Sequence, residues 1–232
     1  MQCNISTFTL NYKVLFMPSA KQQLDALTDI KQMMERSSRF ISLSGLSGVA
    51  AGVCALVGAY FAYGIISPSR IDDYAKSKGI SEPSAPKTLV EFMGSALFMI
   101  AIVTFVAAFV LAFAFTWMRS HKNKVPIWGA AARRLMVNVS VPMIAGGIYI
   151  LKLIENGTYG LIAPGCLLFY GLALLNASKF TLGEIKYLAY IQIVLGVISC
   201  WFIGYGLYFW AAGFGLMHII YGILMWYRHE RN

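Results

Sequence analysis

The chain has 232 residues, of which 58% are hydrophobic and 12% charged, and a formal net charge of +9. Soluble domains carry about 25% charged residues, so this chain has too few to cover a water-facing surface. Its 19 Lys and Arg gather in short connectors between long apolar runs, which is the pattern of membrane topology determinants rather than of a nucleic-acid interface.

Residues 1–16 show no clean period. They contain Asn4, Asn11 and Lys13 and lack a continuous apolar core, so they do not read as a cleaved secretory signal. The first true span is then its own insertion signal. Capping and periodicity begin just after Met17, which predicts translation from Met17 with residues 1–16 as an extension. Ser19 and Gln22 make a capping-box pattern. Leu24, Leu27, Ile30 and Met34 follow as an apolar stripe at helical spacing, with Asp25, Asp29, Lys31 and Gln32 elsewhere. An amphipathic helix is expected over residues 20–39, within a cytoplasmic segment 1–39. Its stripe either lies on the bundle or the lipid headgroups, or binds a protein partner or a second copy. Two heptads are too few for a coiled coil. No Pro or Gly interrupts residues 20–44, so the helix is expected to run on into the membrane, with Ser37 and Ser38 its weakest point.

Glu35, Arg36 and Arg39 mark a water boundary, and a six-span bundle is expected over residues 40–228. Span 1 covers residues 40–66. Gly45, Gly48 and Gly52, with Ala55 and Ala59, form a small-residue face containing a GxxxG match, which serves contact within the chain or dimerisation. The long loop 67–88 holds Pro68, Pro83 and Pro86 and a capped surface helix starting near Arg70. Its acidic pair, Asp72 and Asp73, sits with Arg70 and Lys76 and reads as structural. Span 2 covers residues 89–118, longer than the roughly 20 a bilayer needs. A basic hairpin around Pro126 follows. Span 3 covers residues 135–154 and contains Pro142, whose freed carbonyl Asn138 or Ser140 is placed to satisfy. Spans 4, 5 and 6 cover residues 159–175, 187–203 and 207–227, with Gly204 and Gly206 as the last turn. Tyr and Trp residues fall near the span ends, as interfacial aromatics do.

Lys and Arg set the orientation. Five precede residue 40, five lie in the basic hairpin, two between spans 4 and 5 and two at the C-terminus. Against these stand four in the long loop and Lys152. Both termini are therefore expected in the cytoplasm.

No GxGxxG, Walker, HExxH or GxSxG pattern occurs. The four cysteines form no CxxC pair, and three of them sit in apolar runs as small hydrophobes. No catalytic residue, metal or cofactor is expected. His218 is the one ionisable residue deep in a span, and Gln192 is the second polar residue at depth; together they are the candidate intramembrane site. The two readings are a neutral His bonded to another helix and a polar lining for a solute path. No Asp or Glu accompanies His218, which speaks against a proton-driven pump.

The run Met34–Gly48 and the segments starting at Phe169 (FYGLALLNASK) and Gly213 (GFGLMHIIYG) resemble multi-pass membrane proteins of Bacteroidota. The resemblance covers about residues 17–230. It implies a bacterial inner membrane and brings no activity. The sequence thus predicts an all-α, polytopic inner-membrane protein, non-enzymatic, engaging the lipid bilayer and a protein partner or second copy through its N-terminal helix and span 1. The alternative is a small-solute transporter or channel lined by His218 and Gln192. The two differ in whether the midplane is wet or closed.

Overall fold

The computed structural model describes Leu24 and residues 44–66, 89–122 and 128–229. Among these the chain is predominantly helical with no strand, and five helical stretches are long and apolar enough to cross a membrane. The protein is an all-α polytopic membrane protein.

In chain order the helices are α1 (Gly45–Ile66), α2 (Leu89–Met93), α3 (Ala96–Lys122), α4 (Ala130–Glu155), α5 (Ile162–Ala177, entered through the 3-10 turn Tyr159–Leu161), α6 (Ile185–Ser199), α7 (Gly206–Trp210) and α8 (His218–His229). A π-helical segment, Ala211–Met217, joins α7 to α8 into one rod, the last helix. Helix α1 packs against α3 and against α8 and the π segment. Helix α5 packs against both α4 and α6, and α5 and α6 meet the last helix. The last helix therefore bridges α1 and the α5–α6 pair.

Several boundaries differ from the sequence expectation, each for a local reason. Span 2 is not one helix from residue 89. Gly94 closes α2 through its N–H on the Val90 carbonyl, and the Ser95 hydroxyl accepts from the Phe98 N–H at 3.2 Å and caps α3. Helix α3 then runs to Lys122, four residues past the expected end. Helix α4 starts at Ala130, five residues before the expected start, so Arg133 and Arg134 lie in its first turns. It ends in a Schellman turn: Thr158 N–H reaches the Leu153 carbonyl, Gly157 N–H reaches Ile154, and Gly157 takes φ +69°, where glycine has no Cβ penalty. The carbonyl that Pro142 frees is that of Asn138. Neither the Asn138 nor the Ser140 side chain meets it. Asn138 Nδ2 donates instead to the Arg134 carbonyl at 2.8 Å, and Asn176 Nδ2, from the end of α5, approaches the Asn138 carbonyl at 3.5 Å.

Span 5 begins two residues early and ends at Ser199 rather than residue 203, as 200–204 form tight turns. At 15 residues α6 is about 22 Å long, shorter than the roughly 30 Å hydrocarbon layer. Gly204, at φ +99°, reverses the chain into the last helix. The π segment was not expected at all.

Contacts divide the chain into Met1–Ser37 and Ser38–Asn232, and every described helix from α1 onward belongs to the second unit. Leu24 is helical and exposed. Leu27, Ile30 and Met34, the rest of the helix expected over residues 20–39, its junction with span 1, and the pair Asp72–Asp73 lie outside the described residues.

Candidate mid-membrane polar site

Gln192 reaches the core through the spacing of α6. Ile185, Leu188, Ala189, Gln192, Gly196 and Ser199 are its buried residues and recur at steps of three and four, on one face. Gln192 is 0% exposed and His218 6%. His218 lies 12 residues from the start of the 23-residue stretch Gly206–Arg228, at mid-depth of the last helix.

The structure brings the two expected residues together on one acceptor. The Gly213 carbonyl, in the π segment, receives Gln192 Nε2 at 2.9 Å and His218 Nδ1 at 2.9 Å. A carbonyl only accepts, and it has two lone pairs. Nδ1 therefore carries the imidazole proton. Nε2 is then an acceptor, and Tyr170 of α5 donates its hydroxyl to it at 2.8 Å. The imidazole is neutral in this network. Gln192 Nε2 and His218 Nδ1 stand 3.5 Å apart, but both are donors, so their approach is contact and not a bond. The same logic orients the Gln192 amide: the opposite placement would aim its oxygen at the Gly213 carbonyl.

Gly213 must be glycine. A Cβ there would run into Leu167 Cδ2 and Gln192 Oε1. That oxygen is buried with no hydrogen-bond partner among the described residues, and it faces the Gly213 Cα, where a weak C–H···O contact is the available one. Aromatic rings close the site. Tyr170 lies 4.9 Å from Phe214, and Phe214 stacks on His218 at 6.0 Å and 14°. The hydroxyls of Tyr221 and Ser199 are also buried without partners among the described residues.

Tyr170 and Gly213 were missed by sequence reasoning. The signal for Tyr170 was its position: a tyrosine at mid-span, away from either interface, needs a partner for its hydroxyl. For Gly213 the signal was the Gly213–Gly215 pair inside an otherwise bulky span.

The small-residue face of span 1 is spent within the chain. A Cβ on Gly48 would stand 3.3 Å from Gly222 Cα and 3.4 Å from the His218 carbonyl. One on Gly52 would stand 2.7 Å from the Gly215 carbonyl and 2.7 Å from Ile219 Cγ1, and one on Gly45 would strike the backbone at Gly222 and Trp226. Gly222 is equally confined by Val49 N and the Gly45 carbonyl. The last helix is thus gripped on one side by the α1 backbone and on the other by Gln192 and Tyr170.

Among the described residues no three His, Cys, Asp or Glu converge to hold a metal ion, and Cys54, Cys166 and Cys200 are free thiols. No protein-family model matches the chain, and no curated protein or solved structure matches it significantly.

Proposed function

We propose that this chain is a non-enzymatic interaction or regulatory protein of a bacterial inner membrane, crossing it six times with both termini in the cytoplasm. One observation carries the reading: the glycine face of α1 lies in backbone contact with the last helix at Gly215 and Gly222, on either side of His218. The proposed cytoplasmic segment precedes α1 in the sequence, and α1 touches the last helix beside the mid-membrane polar cluster. The transporter alternative needs His218 and Gln192 to face a path, whereas both are buried and committed to Gly213 and Tyr170. For the sixth crossing, the turn after α6 extends its reach with exposed Trp201, Phe202, Ile203 and Tyr205, side chains suited to an interface. The bacterial setting rests on the sequence resemblance and the orientation on the Lys and Arg bias.

Photo-crosslinking from positions 24, 27 and 30 in intact cells, paired with solute flux in proteoliposomes, tests the function. The expected result is a discrete protein adduct, lost from the position-30 probe in Leu24→Asp/Leu27→Asp, with no flux. Lipid adducts alone, together with a flux abolished by His218→Leu, would replace this reading with the transporter. Orientation is read by cysteine labelling in a background lacking the native four: Ser77→Cys or Ser84→Cys should label from outside and Lys122→Cys should not. Ser120, 3% exposed, is too buried to report.

A further inference from the structure

The geometry points to a register switch: the π segment Ala211–Met217 is one of two states of the last helix, locked by Gln192, His218 and Tyr170 on one side and by the α1 glycine face on the other. This deepens the regulatory reading by naming the element that would move, and it rests on that reading for its biological purpose.

A π turn bonds i to i+5 and so accommodates one residue more than an α turn. If the segment straightens, every residue beyond it moves by one position, a rotation of about 100° and a rise of about 1.5 Å. The π state carries costs. Its i to i+5 bonding is rare beyond single turns, and the Tyr221 hydroxyl is buried without a partner among the described residues. The compensation is concentrated at one peptide. Gln192 and His218 both donate to the Gly213 carbonyl, and Tyr170 holds the His218 ring in the rotamer that does so.

The face toward α1 decides what straightening requires. In the straightened register Met217 takes the place of His218 and Tyr221 takes the place of Gly222. Gly222 fits only because no side chain separates it from Val49 N and the Gly45 carbonyl. A tyrosine there excludes α1 at its present distance. The straight register is therefore closed to the protein while α1 is seated, and opens when α1 withdraws. The pair Arg228–Glu184, at 3.5 Å, ties the end of the same rod to the start of α6 and would also part. Both faces bias one two-state element, which is the physical requirement for coupling between them.

Nitroxide pairs in the full chain, in a background lacking the native cysteines, read the register. Tyr187 with Leu224 reports on the half after the segment, and Tyr187 with Tyr208 on the half before it; all three positions are exposed. In the unaltered protein each pair gives one distance. Gln192→Leu should add a second population to one pair and leave the other unchanged, with a displacement on the order of 8 Å for a label on the helix surface. Gly48→Ala, whose methyl presses on Gly222, should enlarge that population. Deleting Ala212 alongside Gln192→Leu should abolish it, because no surplus residue remains to shift. If Gln192→Leu does not yield folded protein, Tyr170→Phe loosens His218 alone and should give the same pattern at lower population. Unchanged distances in these variants, or both pairs shifting together, would overturn the switch. These distances lie inside the bundle, so they can fail while the Leu24 and Leu27 crosslinks persist, and the crosslinks can fail while the switch stands.

Discussion

The two faces of the last helix are held by different physics. Toward α1 the contact is close glycine packing, Gly222 against the backbone of Gly45 and Val49, and Gly215 against the Gly52 carbonyl and the Leu56 side chain. Toward α5 and α6 it is a hydrogen-bonded network of Tyr170, His218, Gly213 and Gln192. In lipid no hydrophobic force drives helices together, so association rests on close packing and interhelical hydrogen bonds. Here the two devices sit on neighbouring faces of one rod, with His218 and Gly222 one turn apart. The difference teaches which change each side tolerates: the glycine side is sensitive to added atoms, and the polar side to removed bonds.

The largest effect is expected where an atom has nowhere to go. Gly222→Leu places a branched side chain into the α1 backbone and should destabilise by about 3 kcal/mol or prevent assembly. Gly64→Leu, on the same α1 helix but with open space around it, should be silent. Thermal unfolding in detergent compares them, and equal losses would dissolve the distinction between confined and open glycines. Next in size is Gly213→Ala, on the polar side. Its methyl meets the Leu167 and Gln192 side chains rather than backbone, and these can yield in part, so a loss of about 1–3 kcal/mol is expected. The loss should shrink in Gln192→Ala, where one of the two obstacles is gone; full additivity of the pair would show that Gln192 does not confine Gly213.

Smaller still is His218→Leu, expected to cost about 0.5–2 kcal/mol through the lost interhelical bond to Tyr170. Gln192 keeps the Gly213 carbonyl satisfied, which limits the damage. His218→Gln retains a bonding group and should sit near the unaltered protein. If Gln and Leu were equally stable and both abolished a solute flux, the polar site would be a transport site and not a lock.

The fold was legible where composition decides it. Long apolar runs bounded by Lys and Arg identified the membrane helices, because charge cannot enter hydrocarbon cheaply. His218 and Gln192 were legible for the same reason. The boundaries were less so. Gly94 and Ser95 break span 2, yet Gly-Ser inside an apolar run does not by itself distinguish a tolerated pair from a cap. The π segment left no periodic mark in a stretch of small and aromatic residues. Tyr170 and Gly213 complete the site through contacts between distant parts of the chain, and a single sequence does not encode which helices become neighbours. For the glycine face of span 1 the residues were legible and the partner was not, since a second copy and the last helix offer the same small-residue surface.

The smallest effect concerns Pro142, which sits outside both faces and tests whether polar repair matters where no switch is proposed. Proline lacks the N–H that the Asn138 carbonyl would otherwise accept. Asn176 Nδ2 reaches that carbonyl at 3.5 Å, a long bond. Asn176→Ala should therefore cost only about 0.5 kcal/mol, near the average for polar contacts between membrane helices. In a Pro142→Ala background the helix supplies its own donor to the Asn138 carbonyl, so Asn176→Ala should then cost nothing. A double-mutant cycle on thermal stability measures the coupling directly. If Asn176→Ala costs the same with and without Pro142, Asn176 serves α5 by some other contact, and polar repair across helices belongs to the His218 cluster alone.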